Sequence, residues 1–351
     1  MKEKANCLPP GWAGFDVSSA VFDVALWGDQ DFRDMTMTRF PRTFAGAEAL
    51  VTWVEQQPRP LEGIVMEVTG SYSRELVEWI LQIRSNWRLA IINPTLVKNF
   101  GKSKGLRNKT DQVDARLNAA FGHERKPPGW VAPDPALDEL KSIFRTQGKL
   151  KAFLTSLRVR RKGCRNQAEV SERAQAVVIE ALENQIQELD QAAKALMQNH
   201  ASMAPDLELA MTVDGVGPVV ATAILAEAGN LRRFQRGRQL TAFLGLSPKR
   251  NESGTSVKGK TRMCKVGGKY VRPPLYMAAV ALTRRGGPLG DFYRRLVAAG
   301  KPKKAALGAL MRKLVLVVRA VIIQGKPYRR IYPEMPESGR NKSTDQMARP
   351  A

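Results

Sequence analysis

Histidine and cysteine are almost missing from this chain. Its 351 residues hold only His123 and His200, and only Cys7, Cys164 and Cys264. So few histidines all but exclude a histidine-built metal site or a Ser–His–Asp type triad. Three scattered cysteines imply neither a disulfide framework nor a zinc site. Apolar runs are short as well: LVLVVRAVII, residues 314–323, is broken by Arg319 and falls below the roughly 20 residues a membrane-spanning helix needs. The first residues, MKEKANCLPPGW, lack the apolar stretch of a secretory leader. A cytoplasmic protein with no membrane partner is expected.

Acidic residues are scarce too, and the scarcity is regional. Overall, 56 Lys and Arg face 33 Asp and Glu, a net charge of +23. Residues 1–125 carry 16 basic and 15 acidic side chains and residues 126–205 carry 12 and 9. Residues 206–351 carry 28 and 9, so this last part alone holds +19. Such a skew is the electrostatic footprint of a polyanion, most often nucleic acid. With 43 % hydrophobic residues, the chain is long enough for two or three cores.

What is present falls into distinct textures. WAGFDVSSAVFDVALWG (12–28) reads as two strands with a turn at Ser18–Ser19, and FRDMTMTRF (32–40) alternates like a third. Phe44, Ala47, Leu50, Val51 and Val54 follow helical spacing within residues 43–56. GIVMEVTG (63–70) reads as a buried strand, RELVEWILQI (74–83) as a helix, and RLAIIN (88–93) as a strand stopped by Pro94. TDQVDARLNAAFG (110–122) reads as a helix capped by Thr110. Strands in a run, then strands alternating with helices, predict an α/β domain with a mixed sheet over residues 10–125. Residues 134–200 are poor in Gly and Pro and helical. There Leu182, Ile186, Leu189, Ala193 and Leu196 follow the 4-3-4-3 spacing of a coiled-coil seam. This long helical connector is either an intramolecular helix pair or a dimerisation arm. Residues 206–332 form a basic, mainly α-helical part, and the polar tail over 335–351 is expected to be disordered.

The stretch KGLRNKTDQVDARL (104–117) sets Asp111 and Asp114 three residues apart, so on a helix both carboxylates share a face. Lys102, Lys104, Arg107 and Lys109 crowd the approach. A solvated helix start would also favour such acids. Asp16, however, interrupts an apolar strand pattern, and Glu67 sits at the end of another, where a charge needs a partner. Four carboxylates brought together repel, and a hard divalent cation is what holds them ionised. Mg²⁺ takes oxygen ligands and completes its shell with phosphate oxygens, and two such ions serve phosphodiester cleavage. Further on, Gly215 and Gly217 in VDGVGPVVATAILAEAG read as a helix-hairpin-helix-like element whose backbone amides grip a phosphate, or as a plain turn before a core helix. The stretch 247–276 reads as a cationic loop, with Lys249, Arg250, Lys258, Lys260, Arg262, Lys265 and Lys269 as nucleic-acid contacts.

Asp16 in GFDVSSAVFDVAL, Glu67 in MEVTGSY, the run INPTLVKNFGKSKGLRNKTDQVDARLNA and the later LTAFLGLSPKRNESG together resemble the DEDD-type insertion-sequence transposases. The resemblance covers about residues 12–122 and 206–325. It implies a RuvC-like RNase H-fold domain followed by a transposase domain. It further implies Asp16, Glu67, Asp111 and Asp114 as ligands of Mg²⁺ (or Mn²⁺). Ser253 matches the serine that attacks DNA and forms a phosphoserine link. The implied partners are donor and target DNA, a guide (bridge) RNA and further copies of the chain, as a dimer or tetramer. Ser19 stands where relatives often carry lysine, and it touches no expected ligand. From the residues alone, Ser247 and Ser256 compete with Ser253, and Tyr270 or Tyr276 would serve a tyrosine-recombinase chemistry. Two other functions stay open. One is a RuvC-like structure-selective junction endonuclease using metal-activated water; the other is a non-catalytic nucleic-acid binder on the same scaffold.

Overall fold

The computed structural model describes residues 11–28, 32–106, 110–163, 168–253, 257–264 and 266–329. The tail from residue 335, together with Arg107, Lys109, Ser256 and Lys265, lies outside them. So do the side chains of Asp111, of residues 250–253 and of residues 257–261. The chain divides into two compact units, Met1–Ala132 and Pro133–Ala351.

The first unit runs β1 (Gly11–Val17), β2 (Val21–Trp27), β3 (Thr36–Pro41), α1 (Phe44–Glu55), β4 (Leu61–Glu67), α2 (Tyr72–Ile83), β5 (Leu89–Ile92), α3 (Pro94–Ser103) and α4 (Asp111–Arg125). Its sheet has the order β3-β2-β1-β4-β5. The first three strands pair antiparallel, whereas β1–β4 and β4–β5 are parallel. This is the mixed sheet of an RNase H-like α/β domain. Alternation along β1 divides its side chains between two cores. Ala13, Phe15 and Val17 pack with Leu50 of α1 and with Leu76 and Ile80 of α2. Trp12 packs on the opposite face with Val65, Ala90, and Ala115 and Ala119 of α4. The strand before Pro94 does stop there, but Pro94 also opens α3, a helix the sequence reading did not contain. Asn93 caps it, its Oδ1 accepting from Thr95 N at 2.9 Å, and proline suits a first turn whose N–H is idle anyway.

The second unit contains α5 (Pro135–Gly163), α6 (Glu169–Asn199), α7 (Met203–Met211), α8 (Pro218–Ala228), a 3₁₀ turn at Leu231–Arg233, α9 (Gly237–Phe243), β6 (Pro248–Ser253), β7 (Val257–Met263), α10 (Arg272–Thr283), α11 (Pro288–Ala298) and α12 (Lys303–Gln324). Leu310, Leu314, Val318 and Ile322 recur every four residues along α12 and form the spine of one core with Ile224 of α8 and Leu275 and Leu282 of α10. Helices α5 and α6 pair within the chain, and Gln147 Nε2 donates to Ile186 O at 3.4 Å. Their inner ends, at Leu140, Phe144, Ala193 and Met197, join that same core. Along the seam, Ala193 is buried while Leu182, Ile186, Leu189 and Leu196 are half-buried.

One reading needs correction. The stretch read as a cationic loop holds two antiparallel strands, residues 248–253 and 257–263. Its period-two pattern was concealed because cations, not apolar residues, alternate: Lys258, Lys260 and Arg262 take every second place along β7. Among the described residues no helix is long and apolar enough to cross a membrane.

Candidate active site

Three elements converge at one end of the first unit. Phe15 of β1 is in register with Met66 of parallel β4. The next residues, Asp16 and Glu67, therefore stand at neighbouring strand ends. Asp16 alternates with Gly14 and Trp12, and Glu67 with Val65, so both belong to the face that α4 covers. A Cβ at Gly14 would strike the backbone of Ala115, Asn118 and Ala119, while one at Gly122 would strike the Trp12 ring. Running back along α4 thus runs forward along β1, towards Asp16. Asn118, wholly buried, fixes this alignment by donating from Nδ2 to Phe15 O at 2.9 Å. Asp114 lies four residues before Asn118, and the backbone of Asp111 starts the helix. Thr110 caps it as expected, its Oγ1 accepting from Val113 N at 3.3 Å.

Asp16, Glu67 and Asp114 are half-buried, and each already has an interaction partner. Among the described residues no three His, Cys, Asp or Glu side chains form a group that could hold a metal ion. By residue type the four carboxylates expected from the sequence would suit a hard divalent cation, since all are oxygen donors.

A fifth acid was missed. Asp23 of β2 is the cross-strand partner of Asp16 and is only 5 % exposed. Arg39, opposite it on β3, donates to both its oxygens from Nε and Nη2, each at 3.0 Å. The signal was available: Phe-Asp-Val occurs at 15–17 and again at 22–24.

The expected basic contacts separate. Lys102 is exposed, but Lys104 forms an ion pair with Glu124 and lies 5.5 Å from the Phe100 ring centre. In the second unit, Gly215 has φ +80°, a left-handed conformation suited to glycine, and Gly217 caps α8. Helices α7 and α8 flank this turn. Lys249, Arg262 and Lys269 are exposed. Ser253 ends β6, opposite Val257; Lys258 pairs with Glu252 and Arg262 with Lys249 in register. Of its competitors, Ser247 Oγ accepts from Arg312 Nη1 at 3.2 Å, the Tyr270 ring lies against Gly148, and Tyr276 is exposed on α10.

Comparison with known families matches residues 13–164 to a DEDD transposase domain, a class that works with divalent metal ions, and residues 207–294 to the transposase IS116/IS110/IS902 family. The chain is 27 % identical over 324 residues to the pilin gene-inverting protein of Moraxella bovis, covering 90 % of this chain and 97 % of that protein. The corresponding Moraxella lacunata protein is 26 % identical over the same shares. The transposase for insertion sequence element IS1111A of Coxiella burnetii is 28 % identical over 127 residues, 35 % of each chain. With both domains of one transposase type matched in a single chain, and the two Moraxella proteins aligned over 97 % of their length, the protein belongs to the IS110-type transposases, enzymes that cleave and transfer DNA strands.

Proposed function

We propose that the chain is an insertion-sequence recombinase in which Asp16, Glu67, Asp111 and Asp114 hold Mg²⁺ (or Mn²⁺) and Ser253 is the nucleophile. The observation that carries this reading is the register of β1 and β4, which puts Asp16 and Glu67 side by side at the end where α4 begins. Bound Mg²⁺ supplies Lewis-acid stabilisation of charge developing on the phosphoryl oxygens. Ser253 Oγ attacks phosphorus: the Oγ–P bond forms, one P–O bond to a deoxyribose breaks, and the serine proton ends on the departing oxygen. The energy of the phosphodiester is kept in the serine ester, so a second DNA hydroxyl rejoins the strand by the reverse step. Relatives named for inverting a pilin gene support rejoining, because an inversion leaves no free ends.

Donor and target DNA and a guide (bridge) RNA are the partners in this reading. Phosphate contacts come from the basic strand pair, from Lys102 and from the turn at Gly215 and Gly217. The protein works in the cytoplasm as a dimer or tetramer assembled through α5 and α6. Incubating it with Mg²⁺, element-end RNA and donor DNA, then denaturing, should leave DNA attached at Ser253. Ser253→Ala should lose the adduct but keep nucleic-acid binding, and Asp114→Ala should lose cleavage. Full cleavage by Ser253→Ala, with no adduct from the wild type, would make a water-using junction endonuclease the correct function.

A further inference from the structure

The second unit carries a row of cations and aromatic side chains of its own. Lys141 and Arg145 stand one turn apart on α5. Arg145 donates to buried Glu227 from Nε and Nη2, at 3.1 and 3.0 Å, which raises its own pKa further. One turn on, Gly148 lies against the Tyr270 ring. Lys269 Nζ is 5.7 Å from the centre of that ring. Gly268 N donates to Phe243 O at 3.3 Å, and the Arg233 guanidinium lies 5.0 Å from the Phe243 ring centre and 4.7 Å from that of Phe234. Arg233 lies near enough to Lys141 for its charge to act on it. Burial, with the charges of Arg145 and Arg233, holds the Lys141 ammonium below the usual lysine range, against the opposing pull of Glu227 and Asp138. Four cations thus meet two acids, one of them taken up by Arg145. Phe243 is 41 % exposed, with the Phe234 ring beside it at 5.4 Å between centres.

We infer that this surface binds an unpaired nucleic-acid strand, with phosphates on Lys141, Arg233 and Lys269 and a base stacked on Phe243. A duplex hides its base faces and would use only the cations. An exposed aromatic side chain set among cations is what a single strand needs, since every base has a face to stack. The inference rests on the recombinase reading, in which strands pass through unpaired states and a guide RNA presents loops.

The test is fluorescence anisotropy of the full-length protein, without divalent metal, on labelled oligothymidylate, oligouridylate and a duplex of equal length. Phe243→Ala should weaken single-strand binding roughly tenfold or more, leave duplex binding unchanged and keep the salt slope. Phe243→Tyr, which retains a stacking face, should bind as the wild type does, separating lost stacking from lost folding. Arg233→Gln and Lys269→Gln should each lower the single-strand salt slope by about 0.7. Tighter binding of oligouridylate marks the strand as RNA, and of oligothymidylate as DNA; either supports the site. Equal losses on single strand and duplex, or unchanged slopes, overturn it. They would leave the recombinase reading standing, because that is read separately by the Ser253 adduct.

Discussion

Asp16 and Asp23 occupy the same place in two copies of Phe-Asp-Val, and the pairing of β1 with β2 sets them directly opposite. Like charges in that position destabilise a sheet. Arg39, next in the row, offsets the repulsion by holding both Asp23 oxygens. Asp23→Asn would leave the Arg39 cation beside Asp16, competing with any metal ion there. Calorimetric titration of the DNA-free variant with Mn²⁺ should therefore show weaker binding, and Asp23→Asn combined with Arg39→Gln should recover part of the loss. Equal Mn²⁺ affinity in wild type and Asp23→Asn would assign the pair to sheet stability alone. Asp16 and Glu67 were legible because each breaks an apolar strand pattern. Asp23 breaks the same pattern, but its meaning depends on which strand lies alongside and in what register. That information resides in long-range pairing and not in any one stretch of sequence.

At the scale of elements, α4 decides whether the acids meet. Its start was readable from Thr110, since a threonine ahead of a helical pattern has a local reason to be there. Its docking was not, because that depends on Gly14 leaving room for the helix and on Asn118 reaching a strand 103 residues earlier. Asn118→Ala removes a buried donor to Phe15 O. It should cost about 1–3 kcal/mol, seen as a lower denaturation midpoint with unchanged slope. Thr110→Ala should cost about 1 kcal/mol and should reduce strand cleavage by more than its stability loss explains, because it frays the turn that carries Asp111 and Asp114. If cleavage by Thr110→Ala merely follows the folded fraction, the helix start does not position the carboxylates. The strand pair at 248–253 and 257–263 escaped sequence reading for a different reason. Strand patterns are usually recognised by alternating apolar residues, and here the alternation is carried by Lys258, Lys260 and Arg262.

At the scale of the whole molecule, the proposed assembly has a basis in how charge and apolar exposure are distributed along α5 and α6. Only the inner ends of α5 and α6 enter the core of their unit. Towards the far end of the pair, Phe153, Val159, Val170 and Val177 are each more than 60 % exposed, more apolar surface than a finished helix pair needs to show. The outer half of α5 carries Arg158, Arg160, Arg161 and Lys162, while α6 carries Glu169, Glu172, Glu180 and Glu183. Within the chain, Arg158 already pairs with Glu183. A second copy set two-fold against this pair would place basic α5 along acidic α6 twice over, while the exposed valines and Phe153 lose contact with water. Complementary charge sets register and orientation in such helix contacts, and apolar burial supplies the affinity. Val170→Asp with Val177→Asp should then give a smaller species in light scattering, with unchanged helix content and unchanged non-specific DNA binding. Recombination should fall with the assembly. Raising salt should weaken DNA binding steeply in both proteins, because the +19 of residues 206–351 is untouched by the change. A variant that keeps its size and its recombination would show that these helices serve only to join the two ends of the chain.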